Sequence, residues 1–307
     1  MTKTKILLLG ANGQVGHAIC DLAQQSQSGI EVLGMDSRQL DITREKSVHA
    51  SIDETRPTIV INAAAYTAVD QAEQEPAKAY AVNRDGAGYI AAACARYDIP
   101  MLHISTDYVF DGKKPTPYVE TDPANPINVY GASKWEGEQA IRQTLDKHII
   151  LRTSWVFGVY GKNFVYSIIK LAGQREELRI VNDQHGCPTS AAAIATALLT
   201  LSDEIRNRGQ ESGEISWGTY HFTGTPPITW FEFSNEIVNT TRQRFDYLVK
   251  SILPIPTSEF PTPAARPHNS VLNCDKIRAE FAIAQEPWQT GLAQMLAHDA
   301  FDSHMIR

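Results

Sequence analysis

Tyr130 and Lys134 stand four positions apart in Tyr130-Gly-Ala-Ser-Lys134, a spacing that sets a phenol and an ammonium one turn apart on one helix face. A phenol with a pKa of about 10 is an inert acid at neutral pH unless a cation is close, and Lys134 together with an oxidised nicotinamide would be such a cation. Tyr–Lys pairs are common on helix surfaces. This one gains weight from Ser105-Thr106-Asp107, which closes an apolar run and so stands at the carboxyl edge of a strand, where doubly wound sheets bind ligands. A hydroxyl, a phenol and an ammonium then converge beside a cofactor.

The cofactor end is signalled by Gly10-Ala-Asn-Gly13-Gln-Val-Gly16, a GxxGxxG turn directly after the first apolar run. Glycines there let the turn tighten and the backbone approach a pyrophosphate, which sits on the free N–H groups of the following helix; Gln14 and Val15 open that helix and join the set. Asp36 ends the second run, placed to hydrogen-bond the adenosine ribose and favour NAD. Arg38, two positions on, could hold a 2′-phosphate, so NADH and NADPH both stay open. Asp41 and Ile42 are candidates to bracket the adenine, although an acid in such a turn also reads as a helix cap. Asn62-Ala63-Ala64-Ala65-Tyr66-Thr67 offers small side chains where a cofactor could lie flat, or where helices simply pack closely. Ile104, at the end of the fourth run, completes the cofactor set with Tyr130 and Lys134.

The elements that must position these groups are legible as alternating short apolar runs and helical patterns. Ile6–Leu9, Val32–Met35, Ile59–Ile61, Met101–Ile104 and Ile149–Leu151 read as strands; Val15–Ala23, Val48–Ile52, Ala77–Ala95 and Trp135–Ile141 read as the helices between them. Runs without polar alternation suit strands buried on both faces. The expectation is an α/β fold: a doubly wound, Rossmann-type parallel sheet over residues 1–155, completed by segments from about 177–222. Residues 156–307 mainly form a smaller substrate-binding lobe. Helices are expected at Phe164–Leu171, Ala191–Leu201, Asp275–Phe281 and Trp288–His298, with a polar loop between Asn207 and Trp217. Five prolines make Leu253–Pro267 an extended surface arm.

The chain has 307 residues and a formal net charge of −7, which leaves no basic surplus to gather phosphates of a nucleic acid or an anionic membrane. With 43% hydrophobic and 21% charged residues the composition is that of a folded globular protein. Cys20, Cys94, Cys187 and Cys274 are widely spaced, without CxxC, so neither a disulfide scaffold nor a zinc site is expected, and a reducing cytoplasm fits. Lys3 and Lys5 precede an apolar run as in a secretory signal, but the run is too short for one, and no stretch reaches the roughly 20 apolar residues of a membrane span.

Taken in order, GxxGxxG, Asn62-Ala-Ala, Ser105-Thr-Asp-Tyr-Val-Phe110 and YxxxK resemble the extended short-chain dehydrogenase/reductase superfamily. Within it, the chain looks like the dTDP-4-dehydrorhamnose reductase family almost end to end. That resemblance is carried by Gly13-Gln-Val-Gly16, Asn62-Ala-Ala-Ala-Tyr-Thr-Ala-Val-Asp70, Asn128-Val-Tyr-Gly131, Arg152-Thr-Ser-Trp155, Asn182-Asp-Gln184 and Pro188-Thr189. Pro261-Thr-Pro-Ala264 and Arg266-Pro-His-Asn-Ser270 extend it into the proline-rich arm.

The resemblance implies reduction of a dTDP-sugar at C4 by NADPH or NADH. Tyr130 would be the proton donor to the C4 oxygen, Lys134 would grip the nicotinamide ribose and lower the phenol pKa, and Thr106 would hydrogen-bond the sugar carbonyl. Asp107 and Trp155 match positions that contact the deoxysugar nucleotide; a strand-end cap and core packing are their plainer readings. Arg266 could pair with the substrate diphosphate through a planar bidentate contact, or lie idle on the surface. Some members bridge two subunits through magnesium on acidic residues, but here those places read Ala18 and Ser190-Ala-Ala-Ala193, so no metal and no metal-bridged dimer is expected. A monomer or weak homodimer follows, with no nucleic-acid or membrane partner. Two alternatives stay open: another nucleotide-sugar reductase or epimerase on the same scaffold, and a non-catalytic module similar to the regulatory subunit of methionine adenosyltransferase.

Overall fold

The computed structural model describes residues 4–25, 29–210 and 214–302. Its first half alternates strand and helix: β1 (Thr4–Leu9), α1 (Gln14–Gln25), β2 (Ile30–Met35), α2 (Glu45–Thr55), β3 (Ile59–Asn62), α3 (Val69–Ala72), α4 (Pro76–Tyr80), α5 (Ala87–Arg96), β4 (Met101–Thr106), α6 (Val129–Thr144) and β5 (His148–Thr153). The second half contributes β6 (Val156–Phe157), α7 (Phe164–Ala172), β7 (Glu177–Val181), β8 (His185–Gly186), β9 (Thr189–Ser190), α8 (Ala191–Gln210), β10 (Gly218–His221), β11 (Ile228–Thr229), α9 (Trp230–Thr241), β12 (Ser251–Ile255), α10 (Asp275–Phe281) and α11 (Trp288–Ala297).

Among the described residues the central sheet has six strands in the order β2-β1-β3-β4-β5-β10, all parallel. Alternate residues of one strand serve opposite layers, which is why the runs are apolar at consecutive positions. Ile6 and Leu8 pack with Ile19 of α1, Leu198 of α8 and Ile277 of α10. Leu7 and Leu9 pack with Ile52 of α2, Ile90 of α5 and Ile141 of α6. The chain order reverses between β1 and β3, so the crevice for a ligand opens at the carboxyl ends of those two strands, where the glycine turn and the Asn62 segment sit.

β10 completes the sheet, as the 177–222 segment was expected to, but β7 does not. It pairs in parallel with β12, so Ser251–Ile255 is an edge strand and not a free arm; Pro254, opposite Ile180, is tolerated because a two-stranded ribbon leaves one edge without a partner. From Pro256 to Cys274 the chain is extended and irregular apart from one 3₁₀ turn at Thr257–Glu259. The helix expected over Ala77–Ala95 is widened to a π-helical turn at Ala81–Gly86. α8 continues to Gln210, so the first residues of the expected loop are helical, while 211–213 lie outside the described residues.

A second core holds the smaller lobe together, with Phe157, Val165 and Ile169 packed on Phe233 and Ile237 of α9 and on Trp288 and Leu292 of α11. α9 was not anticipated, although its start is written in the sequence. Thr229 accepts from the Glu232 backbone N–H at 3.2 Å while the Glu232 carboxylate accepts from the Thr229 N–H at 2.7 Å, a capping box that satisfies two end donors.

Candidate active site

The glycine turn is shaped by close approach. Gly10 has φ +86° and a Cβ there would fall 2.6 Å from the Ala64 nitrogen, so the β1 turn and the segment after β3 touch backbone to backbone. On the opposite wall α6 begins at Asn128, whose Oδ1 accepts from the Gly131 N–H at 2.7 Å. A Cβ at Gly131 would lie 2.1 Å from the Tyr108 carbonyl oxygen, so only glycine lets α6 enter hard against the turn after β4. That entry brings Tyr130 and Lys134 over the carboxyl end of β4.

A cleft of about 600 Å³ lies between these walls. It gathers most of the expected set: Gly13, Gln14 and Val15 from the first turn, Ala63, Ala65 and Thr67 after β3, Ile104 through Asp107, and Tyr130, Lys134 and Trp155. It also takes in residues that the spacing did not single out, among them Asn12, Tyr108, Ser154, Lys162 and Trp230. Trp155, in the left-handed region at φ +46°, lies flat on Trp230 with ring centroids 3.4 Å apart and planes 5° from parallel. Lys162 is exposed at the cleft and makes no ion pair among the described residues.

Other expected residues stand elsewhere. Gly10, Gly16 and Ala64 shape the turn from behind. Asp36 is buried at the end of β2, accepting from Asn12 Nδ2 at 2.6 Å and from Arg38 at 2.8 and 3.1 Å; the Arg38 side chain is 85% exposed. Asp41 accepts from Thr43 and pairs with Arg44, the cap-like alternative, and Ile42 is buried against Gly86. Tyr66 donates its hydroxyl to Glu75 at 2.8 Å. Arg266 does not line the cleft: its Nη1 and Nη2 donate to Asp70, at 3.0 and 2.8 Å.

Electrostatics separate the titratable groups of the cleft. Burial pushes the Tyr130 phenol up to about 12, with the neighbouring Thr106 hydroxyl working against it. The Lys134 ammonium, expected to act on this phenol together with an oxidised nicotinamide, has its Nζ turned to the Ile104 carbonyl at 2.7 Å and to His103 Nε2 at 3.1 Å. Burial lowers Lys134 itself to about 8. Asp107 accepts from Thr106 Oγ1 at 3.0 Å, and burial raises the carboxyl to about 7 against the opposing pull of Ser270 and Thr106. One turn beyond Lys134, burial works to raise Glu138, but Arg152 and Arg142 outweigh it and hold the carboxyl below its ordinary value. Ser105 donates to the same carboxylate at 2.6 Å, which anchors the end of β4 to α6.

The residues present fit a dinucleotide. A glycine turn meets the N-terminus of the twelve-residue α1, a carboxylate ends β2, and the cleft runs from there to Tyr130 and Lys134. Fold and site together define an oxidoreductase of the extended short-chain dehydrogenase/reductase class, built for a nicotinamide cofactor. The chain belongs to the family described as RmlD substrate binding domain, whose model matches residues 4–301.

It is 43% identical over 296 residues to the dTDP-4-dehydrorhamnose reductase of Aggregatibacter actinomycetemcomitans, covering 96% of this chain and 99% of that one. It is 39% identical over 293 residues to the spore coat polysaccharide biosynthesis protein SpsK of Bacillus subtilis strain 168, covering 95% and 97%. Among solved structures, the Bacillus anthracis dTDP-4-dehydrorhamnose reductase in complex with NADP superimposes with a TM-score of 0.86 at 37% identity, over 96% of this chain and 99% of that one. No described helix is long and apolar enough to cross a membrane.

Proposed function

We propose that the protein reduces the C4 keto group of dTDP-4-dehydro-β-L-rhamnose to dTDP-β-L-rhamnose, the last step in making that activated sugar. The observation that carries the reading is the convergence of Thr106, Tyr130 and Lys134 in one cleft, next to a dinucleotide turn, in a chain nearly coextensive with reductases of that name. When bound, the reduced nicotinamide supplies the hydride that C4 receives.

Tyr130 gives its phenolic proton to the C4 oxygen as negative charge develops there. Burial keeps the phenol protonated before turnover, the state a donor needs. The Thr106 hydroxyl, whose single hydrogen rests on Asp107, turns it to the carbonyl oxygen and aligns that oxygen with the phenol. Lys134, tied to β4 by the Ile104 carbonyl, meets the nicotinamide ribose. Trp155 and Trp230 bound the substrate end, and Lys162 takes the diphosphate place for which Arg266 is not free. Asp36 receives the adenosine ribose, and Arg38 beside it serves a 2′-phosphate, so the enzyme accepts NADH and uses NADPH with the help of Arg38. Ala18 and Ala191–Ala193 carry no ligand side chain, so any self-association is indifferent to a chelator.

The experiment is the loss of reduced-nicotinamide absorbance on adding enzymatically generated dTDP-4-dehydrorhamnose. Tyr130→Phe keeps the ring and removes the proton, and turnover is expected to fall by roughly 10²–10⁴-fold with cofactor affinity nearly unchanged. Undiminished turnover in the variant would remove Tyr130 as the donor.

A further inference from the structure

Behind the cleft, Lys134 ends a chain of three buried polar side chains. Asn62 on β3, His103 on β4 and Lys134 on α6 are each 1% exposed. The Asn62 amide lies 3.0 Å from His103 Nδ1, and His103 Nε2 lies 3.1 Å from Lys134 Nζ. Backbone groups fix both ends: the Ala64 N–H donates to Asn62 Oδ1 at 3.1 Å, and Nζ donates to the Ile104 carbonyl at 2.7 Å.

A backbone N–H can only donate, so Asn62 must present Oδ1 to Ala64 and its amino group to the ring. His103 Nδ1 therefore accepts, and the hydrogen of the neutral imidazole sits on Nε2, aimed at Nζ. A lysine ammonium has three donors and no lone pair, which would set N–H against N–H; a neutral amine can accept that hydrogen. For the ammonium to fit, the ring must carry its hydrogen on Nδ1. Asn62 must then turn its amide over to receive it, which takes the acceptor away from the Ala64 N–H.

We infer that the proton on Lys134 is coupled to the tautomer of His103 and to the amide orientation of Asn62, which makes both of them positioning residues for Lys134. The inference rests on the place given to Lys134 above. One proton enters from solvent and stays on Nζ. His103 holds one hydrogen throughout, exchanging Nε2–H for Nδ1–H, and Asn62 only rotates. Ala64 lies between Ala63 and Ala65 of the cleft wall, so the charge state of Lys134 is felt by a backbone donor of the cofactor segment.

The surroundings keep His103 out of the titration. Burial, then Lys134, then His148 on β5 hold its imidazolium well below the ordinary range, so the ring relays orientation without gaining charge. On α6, Glu138 opposes the desolvation of Lys134, but its carboxylate is already shared among Arg152 of β5, Arg142 and Ser105 of β4. Tyr130, on the same helix, is a neutral phenol. Within this group Lys134 is left as the member that gains and loses a proton close to neutral pH.

The test is ¹⁵N NMR of the full-length enzyme labelled at histidine, with the His103 signals assigned by their loss in His103→Gln. Above the Lys134 titration Nδ1 should be the unprotonated nitrogen and Nε2 the protonated one, and the two should exchange character as the pH falls through it. Lys134→Met should abolish the exchange. Asn62→Asp, whose carboxylate can only accept, should hold the ring as Nδ1–H at every pH. One unchanging tautomer across the wild-type titration, or Nε2–H persisting in Asn62→Asp, would overturn the inference. Because turnover is not the readout, a protein that fails to reduce the dTDP-sugar would sink the proposed function and leave the tautomer result standing.

Discussion

Trp155 and Trp230 stack face to face at 3.4 Å, although one follows the sheet strand β5 and the other opens a helix of the smaller lobe. The pair therefore joins the two halves of the molecule at the substrate end of the cleft. Removing one ring also removes the support of the other, which already stands on a left-handed backbone at φ +46°. An aromatic pair contributes about 0.5–1.5 kcal/mol beyond its buried area, so Trp230→Ala should raise the KM for the dTDP-sugar by roughly tenfold. The KM for the nicotinamide cofactor should stay put. Initial-rate kinetics with each substrate varied in turn distinguish this from a general loss of structure, which would lower kcat with both.

Arg38 offers a separate handle on the cofactor. Its guanidinium leans on Asp36 while most of the side chain faces solvent, the arrangement of a group that can turn to a 2′-phosphate. A charge-assisted hydrogen bond contributes about 1.5–3 kcal/mol, so Arg38→Ala should raise the KM for NADPH by at least roughly tenfold. NADH should be affected little. Equal losses with both cofactors would mean that Arg38 supports the turn and does not read the phosphate.

Asp107 makes a stability prediction whose sign follows from burial. Its carboxyl is raised to about 7 in the folded protein, so between the unfolded value of about 4 and that point the folded state holds the extra proton. Stability is then lost as pH rises through this window, because the unfolded chain binds fewer protons there. Asp107→Asn should remove that dependence. The variant should gain stability relative to the wild type on going from pH 4 to pH 8, by at most about 4 kcal/mol for a three-unit shift. Urea unfolding at the two pH values measures it; a difference of the opposite sign would show that Asp107 is stabilised as a carboxylate.

Local spacing made part of this site legible. The glycine turn, the Tyr130–Lys134 pair and the end of β4 are each set by a few consecutive residues, and the run of apolar strands between them already implied a parallel sheet. What the spacing could not show depends on partners far away along the chain. Arg266 looked free for a diphosphate because its partner, Asp70, lies 196 positions away. Lys134 showed only Tyr130 as a companion because His103, 31 positions before it, is invisible as a neighbour until β4 and α6 are packed. Trp230 was within reach, since Thr229 and Glu232 spell a capping box ahead of an apolar helix. Pro254 hid β12, as proline argues against a strand unless an unpaired edge is known to exist.

Hydride delivery to C4 of the sugar, with a proton from Tyr130, can be followed by isotope transfer. Reduced nicotinamide bearing deuterium at its C4 position is incubated with dTDP-4-dehydrorhamnose, and the product is examined by NMR and mass spectrometry. One deuterium at C4 of the sugar for each cofactor oxidised, with turnover depressed in Tyr130→Phe, is the predicted result. Deuterium at another carbon, or inversion at C4 with no net oxidation of the cofactor, would contradict the account and point to an epimerase on the same scaffold.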